Sequence, residues 1–280
     1  GGAGSIGSEL VRQLAQNNKI IVLDIDETRM FDLVEELRLE GKDVNGYVID
    51  VCDKESLERV FCEGSYPDIV INAAARKHVT PMEDTPMEAV HVNIGGTYNA
   101  ICLCKKYKSK LIHISTDKVV ASDCIMGATK KVAEIMVRNA GYTSVRFGNV
   151  LGSRGSFLPI VQKRIEENKS IPITDERMER YWMTIQEAVT LIIEAIVDGL
   201  EGVVYTLDMG KPIKVIDIAK RIIEDVRKET GKEIPIEFIG IRPGEKLSEK
   251  LMTEEEKENS IKKNRFWILY AEKGKREIMQ

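Results

Sequence analysis

The chain has 280 residues, 43% hydrophobic and 31% charged, which supplies a full core and excludes disorder as the dominant state. Its 41 Lys plus Arg against 45 Asp plus Glu leave a formal charge of -4, so no global field exists to hold nucleic acid or an anionic membrane surface. No apolar run approaches the roughly 18 residues that a membrane-spanning helix needs, and a soluble, cytoplasmic protein is expected.

The chain opens on GGAGSIG, where Gly1, Gly4 and Gly7 stand three residues apart and lead into the amphipathic stretch SELVRQLAQ. Glycines let a backbone turn tightly and approach a diphosphate, while a helix N-terminus offers free N–H groups and partial positive charge. Ser5 and Ile6 fill the spacing of this candidate cofactor turn. Such a turn follows a central strand in a doubly wound sheet, so a first strand of about six to eight upstream residues is expected in a longer product.

Short apolar runs then alternate with amphipathic ones. Strands are expected at 20–24, 47–50, 68–72, 110–115 and 144–147, with helical patterns such as TRMFDLVEELRLE, ESLERVF and TKKVAEIMVRN between them. This rhythm predicts an α/β fold with a doubly wound, Rossmann-like parallel sheet covered on both faces. Asp24 ends the strand after the glycine turn, where a carboxylate can accept both hydroxyls of an adenosine ribose and repel a 2′-phosphate. NAD is therefore the expected cofactor, with NADP kept as the alternative by nearby Arg29. Asp50 and Val51 close the next strand, facing adenine, and Ala73, Ala74 and Ala75 in NAAA close the one after, small enough for backbone to crowd a cofactor.

Beyond residue 150 the rhythm loosens. A helix is expected at 157–168, a strand at 171–174, a helix at 185–198, a strand at 203–207, a helix at 214–229 and a strand at 235–239. The charge run 253–263 reads as a solvated surface helix. The expected division is a cofactor-binding domain over 1–150, with 185–207 returning to it, and a smaller C-terminal α/β substrate region over 151–184 and 208–280. The five cysteines contain no CxxC pair and the three histidines are scattered, which predicts reduced thiols, no disulfide frame and no metal site.

Seven blocks in order, GGAGSIGSEL, NAAARKHVTPME, ISTDKVV, MGATKK, VRFGNVLGSRGSF, RYWMT and IRPGEKLSEKL, resemble the polysaccharide-biosynthesis branch of the extended short-chain dehydrogenase/reductases. The similarity is to UDP-N-acetylglucosamine 4,6-dehydratases of the capsule and O-antigen type, and runs from Gly1 to about Leu251. It implies transient oxidation of the hexose at C4, loss of water across C5 and C6, and return of the hydride to C6, giving a UDP-4-keto-6-deoxy sugar. A UDP-sugar substrate and a homo-oligomer follow from the same resemblance.

The resemblance gives Asp117 the role of acid for the C6 hydroxyl and Lys118 that of base at C5, beside Thr116. Each needs a tuned pKa, because the acid must be protonated and the amine neutral at the moment of use. Lys130 stands four residues after Met126, where most of the superfamily has a tyrosine. Without that phenol the C4 hydroxyl needs another base, either Asp117 or a water held by Thr116 and Lys130. Asn93 is carried over to the cofactor site, and Lys77, His78, Glu83, Asn149, Arg154, Arg180, Arg242 and Glu245 to the substrate site. Arginine forks suit phosphate oxygens, and Arg180 and Arg242 are the first choices, although either could tie domains together. The alternatives are a nucleotide-sugar 4-epimerase, which needs the same ketone but no C5 base, and a catalytically silent NAD or nucleotide-sugar binding protein.

Overall fold

The computed structural model describes residues 1–62 and 66–270. Strands β1 (Ile20–Asp24) and β2 (Val44–Val48) pair in parallel as one small sheet. Strands β3 (Ile69–Asn72), β4 (Lys110–Thr116) and β5 (Thr143–Phe147) pair in parallel in a second sheet, which continues through Val204–Leu207. That sheet ends in an antiparallel hairpin, Ser260–Lys263 and Phe266–Leu269, turned at Asn264 with φ 53°.

The glycine turn lies between the two sheets. The Gly2 N–H donates to the Leu23 carbonyl at the end of β1 (2.9 Å). A Cβ on Gly1 would stand 2.5 Å from the Ala73 carbonyl carbon just beyond β3. The helix Ser5–Leu14 leaves this turn, and a Cβ on Gly7 would meet the Gly1 carbonyl oxygen at 2.3 Å, so the spacing serves close packing of helix on turn.

Both faces of the larger sheet are covered. One core joins Val145, Phe147, Tyr205 and Ile268 to the helix Ile185–Asp198, whose apolar face carries Ala188, Leu191, Ile192 and Ala195. That helix starts where expected because Thr184 and Glu187 form a reciprocal capping box, and it stops at Gly199 in the left-handed region. The opposite core joins Leu111 to Leu103, Cys104 and Val137 from the helices Thr97–Tyr107 and Ile125–Asn139. A smaller core gathers Val161, Ile171, Ile173, Met178, Val215, Ala219 and Ile234, where Ile171–Ile173 and Ile236–Phe238 pair in parallel. Among the described residues no helix is long and apolar enough to cross a membrane.

Three expectations are corrected. The strand placed at 47–50 runs over Val44–Val48, so Asp50 and Val51 lie in the turn after it, where Asp50 Oδ1 accepts the Cys52 N–H (2.8 Å). The run 253–263 is helical only over Glu254–Glu258, and its second half is a sheet strand. That strand and its hairpin partner belong to the larger sheet, so residues 260–269 leave the C-terminal substrate region in which they were placed. The cause is a long-range ion pair. Glu256 is drawn to Arg146 on β5, whose Nη1 and Nη2 donate to it at 3.0 and 2.9 Å, and the chain then turns back along the sheet edge.

Arg146 is 2% exposed and also donates from Nη2 to Glu134 Oε1 (2.5 Å) and from Nη1 to the Leu251 carbonyl (2.9 Å). Burial would lower its pKa, but the two carboxylates outweigh that and hold it charged. Arg146→Met leaves Glu134 buried beside Glu256 with no cation, so urea denaturation should show a loss of about 3–5 kcal/mol. Burial pushes Glu256 up and Arg146 pulls it down further, for a net pKa below the ordinary carboxylate value. That part of the stability is present above the unfolded pKa and is lost as pH falls through the folded one, so Arg146→Met should flatten the acid limb of the stability profile.

Candidate active site

Strand β4 ends at Thr116, and the next three residues, Asp117–Val119, form a single 3-10 turn. The helix Ile125–Asn139 presses its start against this turn. A Cβ on Gly127 would lie 2.4 Å from the Lys118 carbonyl oxygen, so glycine in MGATK permits the contact. Cys124 caps the helix by accepting the Gly127 N–H at Sγ (3.3 Å), and Glu83 Oε1 accepts the Ile125 N–H (2.7 Å).

At the turn Lys118 Nζ donates to Asp117 Oδ1 (2.9 Å) and to Asn149 Oδ1 (3.2 Å), and Thr116 Oγ1 donates to the same Asp117 oxygen (2.9 Å). Asp117 is fully buried, and its Oδ2 has no hydrogen-bond partner among the described residues. A carboxylate with one oxygen engaged by an ammonium and a hydroxyl, and the other unengaged, can accept or donate a proton there.

Lys130 is buried, with Nζ 3.1 Å from His113 Nε2 and 2.5 Å from the Ile114 carbonyl. Burial lowers this lysine to about 8, against the opposing pull of Glu134. Burial and then the Lys130 charge push His113 well below its ordinary value, so the ring is neutral. Met126 is 2% exposed and packs with Met82, Ala89 and Cys124.

The glycine turn fits a dinucleotide diphosphate: Gly4 caps the helix Ser5–Leu14 without a side-chain bond to its first-turn N–H groups, and Gly1 and Gly7 let the turn pack against the Ala73 backbone and the helix start. Asp24 is 9% exposed and accepts the Ala3 N–H (2.9 Å) and the Asp26 N–H (3.0 Å), which fixes its carboxylate beside the turn. Arg29 is paired with Asp26 (3.1 Å). The strand-end residues divide: Ala73 and Ala74 are half-buried next to Gly1, Ala75 is exposed, and Val51 packs on Gly96.

Several carried-over residues have other partners. Asn93, on a π-helical stretch Val90–Gly96, binds the Arg76 N–H (2.8 Å), the Arg76 carbonyl (3.1 Å) and Thr129 Oγ1 (3.0 Å), so it clamps the loop after β3. Glu83 is the helix cap described above. Arg154 sits on the glycine turn, donating from Nη2 to the Ala3 carbonyl (2.5 Å) and from its N–H to Ser5 Oγ (3.0 Å). Lys77 Nζ donates to the Arg154 carbonyl (2.6 Å), and the His78 ring would lie 2.7 Å from a Cβ on Gly155. These contacts close residues 154–155 over the space between the glycine turn and the loop after β3. Arg180 is 7% exposed and donates to the carbonyls of Glu179 (2.7 Å) and Leu247 (3.2 Å). Arg242 is exposed, its N–H bound to Glu245 Oε2 (3.2 Å).

Two residues that spacing does not single out also stand here. His113 occupies an inward position of a buried parallel strand, and that polar intrusion in KLIHIS is its signal. Glu249 lies in SEKL at 7% exposure, with Oε1 3.9 Å from Lys118 Nζ. Burial, then Asp117, raise its pKa, opposed by Lys118, Arg180 and Lys246.

The chain is 42% identical over 272 residues to the capsular polysaccharide biosynthesis protein CapD of Staphylococcus aureus, covering 91% of this chain and 45% of that protein. It thus spans about half the length of that relative. It is 32% identical over 270 residues to a UDP-N-acetylglucosamine 4,6-dehydratase (inverting) of Campylobacter jejuni, covering 91% of this chain and 77% of the relative. A UDP-glucose 4-epimerase of Rickettsia rickettsii is 31% identical over 272 residues, with coverage of 91% and 77%. The solved structure of Pen from Bacillus thuringiensis superposes with a TM-score of 0.91 at 35% identity, covering 97% of this chain and 86% of that one. With a match to the polysaccharide biosynthesis protein family running over residues 1–271, the chain belongs to that family.

Proposed function

We propose that this chain is a nucleotide-sugar 4,6-dehydratase that uses NAD and acts on UDP-N-acetylglucosamine, for surface polysaccharide synthesis. The observation that carries the reading is the Asp117–Lys118 pair at the end of β4, a buried acid and a partly exposed amine 2.9 Å apart. Such a pair is what loss of water next to a ketone requires. A 4-epimerase needs a C4 ketone but no base at C5, so Lys118 favours the dehydratase over the epimerase activity named for one relative.

The turn Gly1–Gly7 and the helix after it would hold the diphosphate of NAD and Asp24 its adenosine ribose, and the cofactor would supply reversible hydride acceptance for C4 and C6 of the hexose. Asp117 accepts the proton of the C4 hydroxyl, the task that Met126 has no atom to perform, and later gives it to the departing C6 hydroxyl as water forms. Lys118 removes H5, which the C4 ketone has acidified, and returns a proton to C5 at the end. Thr116 orients Asp117 through the 2.9 Å hydrogen bond. The smaller core takes the nucleotide sugar, with Arg180, Arg242 and the neighbouring Lys246 supplying local positive charge that the net charge of -4 does not.

Incubation with UDP-N-acetylglucosamine and mass spectrometry should show a product lighter by one water, and recovery of substrate unchanged overturns the reading. The protein should bind NAD more tightly than NADP, because a 2′-phosphate beside Asp24 meets repulsion and lost hydrogen bonds of about 2–4 kcal/mol. Asp24→Ala should narrow that preference at least tenfold, at roughly 1.4 kcal/mol per decade, in titrations of both nucleotides. Lys118→Met should leave C4 oxidation intact and block elimination, so the reduced-nicotinamide absorbance rises and persists in a single turnover. Asp117→Asn should instead slow that rise by about 10²–10⁴-fold, the cost of a lost general base.

A further inference from the structure

We propose that Glu249 is a positioning residue for the elimination step, taking a proton from Lys118 so that the amine meets the substrate in its neutral form. The inference rests on the dehydratase reading above.

An ammonium has three N–H groups, and those of Lys118 serve Asp117 Oδ1 (2.9 Å) and Asn149 Oδ1 (3.2 Å). Glu249 Oε1 stands 3.9 Å from the same nitrogen, about 1 Å beyond hydrogen-bond distance, with its side chain 5% exposed. Its Oε2 has no hydrogen-bond partner among the described residues, and neither has Asp117 Oδ2. Two buried carboxylates therefore share one ammonium. When all three are ionised the group carries one net negative charge, and when the proton moves from Nζ to Oε1 it carries the same. The transfer breaks one N–H bond, forms one O–H bond and leaves the electron pair on nitrogen. It also replaces a partly exposed ammonium and a buried carboxylate by two neutral groups, the direction that the burial of Glu249 favours.

The surrounding charges leave this exchange within reach. Arg180, held by the Glu179 and Leu247 carbonyls on the strand Glu179–Arg180, opposes protonation of Glu249, while burial and Asp117 favour it. Lys246 is bonded to the Ala121 carbonyl and paired with Asp123 (3.4 Å). Asp117 and Lys118 face it from the 3-10 turn, and Cys124 and Glu83 stand at the start of the helix Ile125–Asn139. The protons then balance over a turnover. The C4 hydroxyl proton passes through Asp117 to the departing water, H5 passes through Lys118 and returns to C5, and Glu249 keeps its proton throughout.

The test is Glu249→Gln, which preserves size and removes the proton acceptor. Wild-type elimination should be flat in pH around neutrality. In the variant, once Asp117 has taken the C4 hydroxyl proton, Lys118 can become neutral only by losing its proton to solvent. Elimination should fall at least about tenfold at pH 7 and climb roughly tenfold per pH unit as the solution is made alkaline. Reduced nicotinamide should accumulate at pH 7 and disappear at alkaline pH. A variant with wild-type rate and profile overturns the proposal, as does one slowed equally at every pH, which marks a structural role only. Infrared difference spectra of the substrate-free protein supply a second readout, in which a protonated-carboxyl C=O stretch at pH 7 should vanish in Glu249→Gln. Should that variant not fold, Glu249→Asp should keep the stretch at a shifted position, and an unshifted or absent stretch overturns the proposal. If wild type releases no water from UDP-N-acetylglucosamine while the stretch behaves as stated, the dehydratase reading fails and the shared proton stands.

Discussion

Arg146 is the point at which three separate parts of this molecule are fastened together. It rises from β5, reaches Glu134 on the helix that also carries Lys130, and holds Glu256 and the Leu251 carbonyl of the C-terminal segment. Glu134 Oε2 in turn accepts Ser115 Oγ (2.5 Å), one residue before the Thr116–Lys118 site. A guanidinium with five donors in a plane can serve several acceptors at once, which an ammonium cannot do with fixed geometry. Leu251 lies two residues beyond Glu249, so the same interaction anchors the segment that carries Glu249. The order of the site thus depends on a charge cluster that touches neither acid nor base directly.

Local rules carried the reading of the chain a long way, and the places where they stopped have a common cause. The helix Ile185–Asp198 was legible to the residue because its capping box and its terminal glycine are both local signals. The glycine turn could be read for the same reason, whereas adjacent residues alone make Asp117–Lys118 an ordinary loop pair and only the resemblance gave it a role. Glu256 closes a capping box with Thr253, a local signal for the helix start, but its bond to Arg146, 110 positions away, has no local signal. Asn93 and Glu83 carry the right residue type for a ligand site but spend their polar atoms on Arg76, Thr129 and Ile125, which no spacing rule reveals. Arg154 reads as a phosphate ligand, whereas its partners are the Ala3 carbonyl and Ser5 on the glycine turn.

The buried polar groups beneath the site form one connected path. Lys130 meets His113, His113 Nδ1 faces Asn72 Nδ2 at 3.4 Å, and Asn72 Nδ2 donates to Thr97 Oγ1 at 3.2 Å. Thr97 Oγ1 donates to the Asn93 carbonyl (2.7 Å), Asn93 Nδ2 to Thr129 Oγ1 (3.0 Å), and Thr129 Oγ1 to the Met126 carbonyl (2.9 Å). A buried network is stable only when its members are satisfied, and this one links β3, β4 and two helices through groups that are nearly all engaged. It fixes the helix start against the 3-10 turn, complementing the close contact that Gly127 allows.

Met126 and Lys130 acquire a joint explanation from that path. In a chain with a phenol at the methionine position, the lysine ammonium would serve to lower the phenol's pKa. Here no phenol exists, and Lys130 is turned under β4 toward His113 and the Ile114 carbonyl, with its charged form disfavoured by burial. A lysine so placed organises the strand end and does little for a proton on the substrate side. Beside the turn 116–118, Asp117 Oδ2 and Glu249 Oε2 are buried oxygens without a partner among the described residues. Leaving such atoms unsatisfied costs about 1–3 kcal/mol each, a cost that packing alone gives no reason to retain. Proton transfer at the site does give one, because an oxygen without a donor keeps its lone pairs open to a proton from substrate.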